Sequence, residues 1–158
     1  MAEQLSEHNS DSSSKALENC FSLLQTLILQ LPPPPVPAIN HPVRQLFVEN
    51  PRYIDRLLTL ADAMASGEHP CTNEVQLSLY RTLATLLEVH RPARLLFGEQ
   101  GRLNKLFNLA TTVAENGDAT SQASIYSTLA CLSSTPALRN QMQNGLFFSR
   151  VLACIDDI

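Results

Sequence analysis

Few side chains in this sequence lie where they could perform chemistry together, and His69 and Cys71, on either side of Pro70, are the closest such pair. Two ligands do not complete the tetrahedral set that zinc requires. Asp156 and Asp157 adjoin in sequence, so on a helix their carboxylates point apart and cannot share a proton. The sequence contains neither a Gly-rich phosphate loop nor a nucleophile beside a base. We therefore expect no enzyme activity, no catalytic residue, no metal and no cofactor.

The cysteines indicate where the chain resides. They are separated by dozens of residues, form no CxxC pair and are expected to be free thiols in a reducing compartment. The polar start of the chain lacks the regions of a signal peptide, and the longest apolar run, residues 21–31, is too short to span a bilayer. We expect a soluble intracellular protein of the cytoplasm or nucleus. The four cysteines are Cys20, Cys71, Cys131 and Cys154.

Basic residues are the remaining candidates for a charged binding site. The formal net charge is -4 and arises mostly before residue 41, while ten basic and eleven acidic residues follow. Acidic residues interleave with the arginines and no aromatic platform accompanies them, which argues against nucleic-acid binding. We expect these side chains to pair within the protein and to cap helix carbonyls. They are Arg44, Arg52, Arg56, Arg91, Arg94, Arg102 and Lys105.

The composition favours an all-α protein, with 44% hydrophobic residues, only 5 Gly and abundant Leu. Residues 1–13 are acidic and Ser-rich, and we expect a disordered tail there. Apolar residues then recur at helical spacing, which predicts an N-terminal capping helix over 14–31. The proline-rich stretch 32–40 ends that helix. It is interpreted as a stiff linker, with a polyproline ligand for an SH3, WW or profilin-type domain as the alternative.

From His41 onward the sequence is periodic. Each unit contains a short helix that begins at a proline, a longer helix, a turn-rich loop and a third helix, with Gly101 and Gly145 at the corner between the first two. The units span 41–90, 91–134 and, in part, 135–158. One set of residues recurs 46 positions later: Gln76, Ser78, Tyr80, Thr82, Leu83, Ala84 and Leu86 reappear as Gln122, Ser124, Tyr126, Thr128, Leu129, Ala130 and Leu132.

Two stretches carry a family resemblance. Glu74, Val75 and Gln76 open a third helix that continues with Leu79, Leu83 and Leu86, while Arg94, Gly101, Leu103 and Leu106 match a first-to-second helix corner. Residues 41–158 thereby resemble the armadillo repeat family. The resemblance implies a right-handed α-solenoid that acts as an adaptor or scaffold and holds a partner protein segment in a groove lined by its third helices.

The resemblance also implies which residues face that groove. The family's groove asparagine falls at Thr85 and Cys131, and its tryptophan at Arg81 and Ser127, so recognition of a basic peptide by an asparagine and tryptophan ladder is not expected. Tyr80 and its counterpart in the second unit are interpreted as core residues. A solvated surface is the alternative for the charged positions. The predicted partner-binding residues are Ser78, Arg81, Thr85, Glu88, Ser124, Ser127 and Cys131.

The last residues of the sequence offer a second candidate surface. An apolar helix face is predicted there, with no following third helix to cover it, whereas repeat arrays need a polar terminal cap. We expect the chain to be the N-terminal part of a longer scaffold protein. The alternative is a self-association module that forms a homo-oligomer through this face. The face consists of Val151, Leu152, Ile155 and Ile158.

Overall fold

The computed structural model describes residues 2–30, 41–143 and 149, and within these ranges the protein is all-helical, with no β-strand. None of the helices in this part of the chain is long and apolar enough to cross a membrane. A short 3-10 turn, Leu96–Gly98, follows the fifth α-helix. The helices are α1 (Ala2–Leu29), α2 (Pro42–Glu49), α3 (Arg52–Ala65), α4 (Asn73–Val89), α5 (Arg91–Leu95), α6 (Arg102–Asn116), α7 (Ala119–Ser133) and α8 (Pro136–Gln143).

Helix α1 begins twelve residues before the start that the sequence predicted. The structure places residues 2–13 in this helix, where a disordered tail was expected. Residues 2–29 contain neither Gly nor Pro, and Ala2, Glu3 and Gln4 are good helix formers, so an established helix can extend through this polar segment. The predicted linker 32–40 lies outside the described residues.

The prolines stand at helix starts as the sequence predicted, and side-chain caps that it did not predict begin the third helices. Pro42, Pro92 and Pro136 each stand in the first turn of a short helix, where a missing N–H costs no hydrogen bond. The side chain of Thr72 accepts a hydrogen bond from the backbone N–H of Val75 at the start of α4. At the same point of the next unit, Asp118 accepts one from Ser121 at 2.7 Å and caps α7.

Corresponding helices of successive units pack on one another. Helix α2 contacts α5, α3 contacts α6, and α4 contacts α7, so the two triplets α2–α4 and α5–α7 repeat one arrangement. Helix α1 also packs on α4. Phe21 of α1 contacts Thr82 of α4, and Gln25 contacts Thr85. Because residue numbers increase in the same direction along both helices, α1 and α4 run parallel. Helix α1 thus occupies the place of a third helix preceding the first unit.

The second helices are joined by a buried ion pair. The guanidinium of Arg102, at the start of α6, is 2% exposed and makes two hydrogen bonds to the carboxylate of Asp55 in α3, Nε to Oδ1 at 2.8 Å and a terminal nitrogen to Oδ2 at 3.1 Å. It also donates to the Leu96 carbonyl and to Gln100. Gly101 directly precedes it at the corner that the sequence predicted, and its φ of 68° is left-handed. Gly145, the other predicted corner, lies outside the described residues.

Candidate functional site

The exposed face of α4 carries a line of charged side chains. Glu74, Arg81 and Glu88 recur every seven residues, and all three are exposed. Seven residues are close to two helical turns, so the three lie along one line at intervals of roughly 10 Å. Within the described part of the chain, the side chain of Arg81 has no hydrogen-bond or ion-pair partner. This line is therefore available to a partner.

Helix α7 presents a neutral line at corresponding positions. Thr120 and Ser127 stand 46 residues after Glu74 and Arg81, and both are exposed. Helix α7 packs on α4, and both lines are exposed. We call the two lines together the α4–α7 face and define it by Glu74, Arg81, Glu88, Thr120 and Ser127. Arg81, Glu88 and Ser127 were predicted from the sequence.

Thr85, also predicted as a binding residue, is engaged inside the protein. Its hydroxyl oxygen accepts a hydrogen bond from the side-chain amide of Gln25 at 3.1 Å, at the contact of α1 with α4. It lies about 40° around the helix from Arg81, which is enough to turn it from the open face towards α1. The structure thus gives Thr85 a role in holding the N-terminal helix.

Cys131, the counterpart of Thr85 in the next unit, is engaged in the same way. Its thiol donates to the carbonyl oxygen of Leu87 at 3.2 Å, and a guanidinium nitrogen of Arg94 lies 3.6 Å from its sulfur. The thiol thus lies where α7 meets the end of α4. Thr85 and Cys131 therefore both lie at contacts between stacked helices.

Ser78 and Ser124 lie at the edge of the α4–α7 face and are half-buried. Their carbonyl oxygens accept hydrogen bonds from the hydroxyls of Thr82 and Thr128 at 2.8 and 2.9 Å. Both threonines are fully buried, and bonding to the carbonyl four residues earlier satisfies their hydroxyls inside the stack. The serine side chains therefore lie beside the exposed line and are not part of it.

Tyr80 is a core residue, as the sequence predicted. It is fully buried, its hydroxyl lies 3.3 Å from the side-chain oxygen of Gln76, and burial raises the pKa of Tyr80 to about 12. Gln76 in turn donates to the carbonyl of Met64 at the end of α3. In the next unit Gln122 does the same for Ala114 at the end of α6. The repeated glutamine is therefore a helix cap, a role that its recurrence alone did not reveal.

Two members of the α4–α7 face were missed by the sequence reasoning. Glu74 was assigned to the start of a third helix and Thr120 to no role. Glu74 lies seven residues before Arg81, and Thr120 lies seven residues before Ser127. This spacing, close to two helical turns, was the signal in the sequence that could have identified them.

Groups that could support catalysis or metal binding are not brought together. His69 is exposed and Cys71 is half-buried, with burial raising the pKa of the Cys71 thiol. Across residues 2–30, 41–143 and 149, no group of three or more His, Cys, Asp or Glu side chains could hold a metal ion. His41 and His90 are buried, and His41 bonds to the Gln30 carbonyl and the N–H of Arg44.

Three of the arginines cap helix ends. Each belongs to the opening helix of a unit and donates to a carbonyl at the end of the preceding third helix or of α1. Arg44 bonds to Ile28 at 2.8 Å, Arg94 to Leu87 at 3.0 Å, and Arg139 to Ser133 at 2.8 Å. The predicted capping is confirmed for Arg44 and Arg94, whereas Arg139 was not among the residues predicted. Arg44, Arg94 and Arg102 are committed to internal contacts. The other predicted residues are exposed: Arg52, Arg56, Arg91 and Lys105.

The predicted C-terminal face, Val151, Leu152, Ile155 and Ile158, lies outside the described residues. Comparison of the chain with protein-family models, with curated proteins and with solved structures finds no match. The resemblance to armadillo repeats therefore rests on this chain's own residues. What the molecule defines on its own is an all-helical protein whose corresponding helices stack and leave the α4–α7 face open.

Proposed function

We propose that this chain is a non-enzymatic protein-interaction module built from armadillo-like repeats, and that a partner protein segment binds along the α4–α7 face. The observation that carries the proposal is the stacking of α4 on α7 with exposed side chains at corresponding positions of both helices. A surface made of the same position in successive units is what repeat arrays use for binding, because each added unit extends it.

The charges of this face indicate the chemistry of the partner. Arg81 stands between Glu74 and Glu88, roughly 10 Å from each along α4. A segment that carries one carboxylate flanked by basic residues at similar spacing would be complementary to this order of charges. The neutral Thr120 and Ser127 on α7 would accept close approach of the partner's backbone or small side chains. Such a segment is the ligand class that we assign to the α4–α7 face.

The test uses charge reversal at matched positions. Arg81→Glu changes the exposed cation of the α4–α7 face, and Arg56→Glu is the control because Arg56 is exposed on α3, in the second-helix layer. Partners would be captured by a photo-crosslinking side chain introduced at Ser127 and, separately, at Arg56. We expect one protein to be captured from Ser127 only and to be lost in the Arg81→Glu variant.

Both variants must show the helicity of the parent chain by circular dichroism. Thr85→Arg is not used, because it would break the Gln25 contact and loosen α1. Capture of the same protein from both crosslinking positions, or its retention by Arg81→Glu with loss by Arg56→Glu, would contradict the proposal and move the site to another face.

A further inference from the structure

Two histidines and two arginines lie together where α1 ends, α2 begins and α4 is followed by α5. His41 and His90 are each 3% exposed, Arg44 is 6% exposed and Arg94 is half-buried. Burial and then the charges of Arg44, His41 and Arg94 lower the pKa of His90, which places the four side chains in one neighbourhood. We call this cluster the basic junction. Buried histidines are uncommon beside cations, so the protonation state of the two rings matters to the fold.

His41 joins α1 to α2 only as a neutral ring. Its Nε2 bonds to the carbonyl oxygen of Gln30, while its Nδ1 accepts the backbone N–H of Arg44 at 3.3 Å and so caps α2. Because a carbonyl only accepts, the ring proton is on Nε2 and Nδ1 keeps its lone pair. A second proton on Nδ1 would place a donor against the N–H of Arg44. Protonation of His41 therefore removes the cap of α2.

His90 is buried where an added positive charge would have little to offset it. It lies between α4 and α5, and its Nε2 has no hydrogen-bond partner in the described part of the chain. The carbonyls at the ends of α1 and α4 carry partial negative charge, but Arg44 and Arg94 already donate to them. Because a buried unpaired cation is costly, the fold favours the neutral ring of His90.

The other titratable groups around the basic junction do not change this balance. Residues 19–30 of α1 and the segment 31–40 contain no acidic or basic side chain. Both glutamates among the remaining groups are exposed, so water and salt screen their charges. Each proton taken up at the basic junction therefore adds a positive charge beside two guanidiniums. The remaining groups, from α2, α5 and the last two turns of α4 and α7, are Glu49, Glu88, Arg91 and the thiol of Cys131.

We propose that the basic junction is an acid-sensitive switch, in which protonation of His41 and His90 opens the junction and releases the end of α1 from α2 and α4. Helices α6 and α7 do not contribute a histidine to it and stay stacked. The end of α1 is the part released because Arg44 and His41 bond to its last carbonyls, those of Ile28 and Gln30. The switch does not depend on the binding role proposed for the α4–α7 face.

Hydrogen–deuterium exchange of the full chain at about pH 7.5 and about pH 5, on either side of the ordinary histidine titration, tests the proposal. After correction for the intrinsic exchange rate, amides of residues 21–29 should lose protection about tenfold at the lower pH, because an N-cap acceptor is lost and a charge is added. Residues 103–113 of α6 should keep their protection.

Non-titrating variants assign the response to the two rings. Asn at position 41 can still accept the N–H of Arg44, since Asn is a good N-cap residue. The double variant His41→Asn with His90→Asn should therefore keep residues 21–29 protected at both pH values. His69→Asn is the matched control, because His69 is exposed before α4 and its loss should leave the response unchanged. Circular dichroism at the higher pH must show equal helicity.

The nitrogen chemical shifts of the imidazole rings follow the same event in the parent chain, and they decide the outcome if the double variant loses helicity. We expect the Nε2–H tautomer of His41 at the higher pH, and protonation of His41 and His90 over the pH range in which residues 21–29 lose protection. Unchanged protection of these residues overturns the proposal, as does a loss that precedes protonation of both rings or persists in the double variant. An equal loss in α6 would show general acid unfolding and overturns it too.

Discussion

The ion pair between Arg102 and Asp55 provides the sharpest test of how the two units are held together. The guanidinium is 2% exposed and makes four hydrogen bonds, two of them to Asp55. In Asp55→Ala the cation would stay enclosed with only the Leu96 carbonyl and Gln100 as partners. Leaving a buried charge without its counter-ion costs about 3–5 kcal/mol. The carboxylate is 30% exposed, so the lower part of this range, about 3 kcal/mol, is expected.

The double variant separates charge burial from loss of packing. In Asp55→Ala with Arg102→Leu neither charge of the pair remains, so the loss of stability should be smaller than the sum of the two single losses by about 2 kcal/mol or more. Asp62→Ala is the matched control, because Asp62 is an exposed residue of the same helix, and it should change stability by less than about 0.5 kcal/mol.

Urea unfolding followed by circular dichroism measures these losses, and for a chain of this length 3 kcal/mol corresponds to a fall in Tm of about 10 °C. The Arg102 guanidinium holds the pKa of Asp55 below its ordinary value of 3.8, so the carboxylate stabilises the fold above that pH. The difference in unfolding free energy between the parent chain and Asp55→Ala should shrink as the pH falls below 3.8. A loss equal to that of Asp62→Ala, or strict additivity in the double variant, would refute the reasoning.

Three further changes test the helix ends. Burial, with Arg44, His41 and Arg94 nearby, lowers the pKa of His90 from 6.5. The neutral ring is therefore favoured in the folded protein, and stability should decline as the pH falls below 6.5. The Tm of His90→Asn should vary less over that pH range than the Tm of the parent chain. Arg94→Ala removes the bonds to two carbonyls of α4 and should cost about 2 kcal/mol in urea unfolding, with Arg94→Lys restoring little. In Gly101→Ala the new Cβ would have no atom within 4 Å, but the alanine would have to adopt φ 68°. We expect the variant to lose about 1 kcal/mol of unfolding free energy. An unchanged Tm would show that the corner relaxes.

Local signals in the sequence predicted the helices and their order well. Prolines at first turns, Gly101 at the corner and the recurrence of residues at an offset of 46 act over a few residues each, so a single sequence displays them. The start of α1 was not predicted. The polar segment 2–13 was expected to be disordered because it has few apolar residues to bury, although it contains neither Gly nor Pro to break a helix. Helix propensity, which acts without burial, governs that segment.

The candidate site could be predicted only in part, because the periodicity of one helix does not show which neighbour covers each side. Arg81 and Thr85 share a face at the level of sequence, yet the structure leaves Arg81 exposed and turns Thr85 towards Gln25. The parallel run of α1 along α4 decides this difference. That arrangement depends on contacts some sixty residues apart in the chain, which no local pattern encodes.

The residues that join the units and the residues of the α4–α7 face form two separate sets. Arg94 of the second unit donates to the Leu87 and Glu88 carbonyls at the end of α4, so this unit satisfies backbone carbonyls that belong to the unit before it. The stability of one unit therefore depends on the next, as expected for a stacked array. Arg81 and Ser127 take no part in this capping and can change without exposing a carbonyl. If the face binds a partner as proposed, substitution on it should change that binding while the fold that presents the face stays intact.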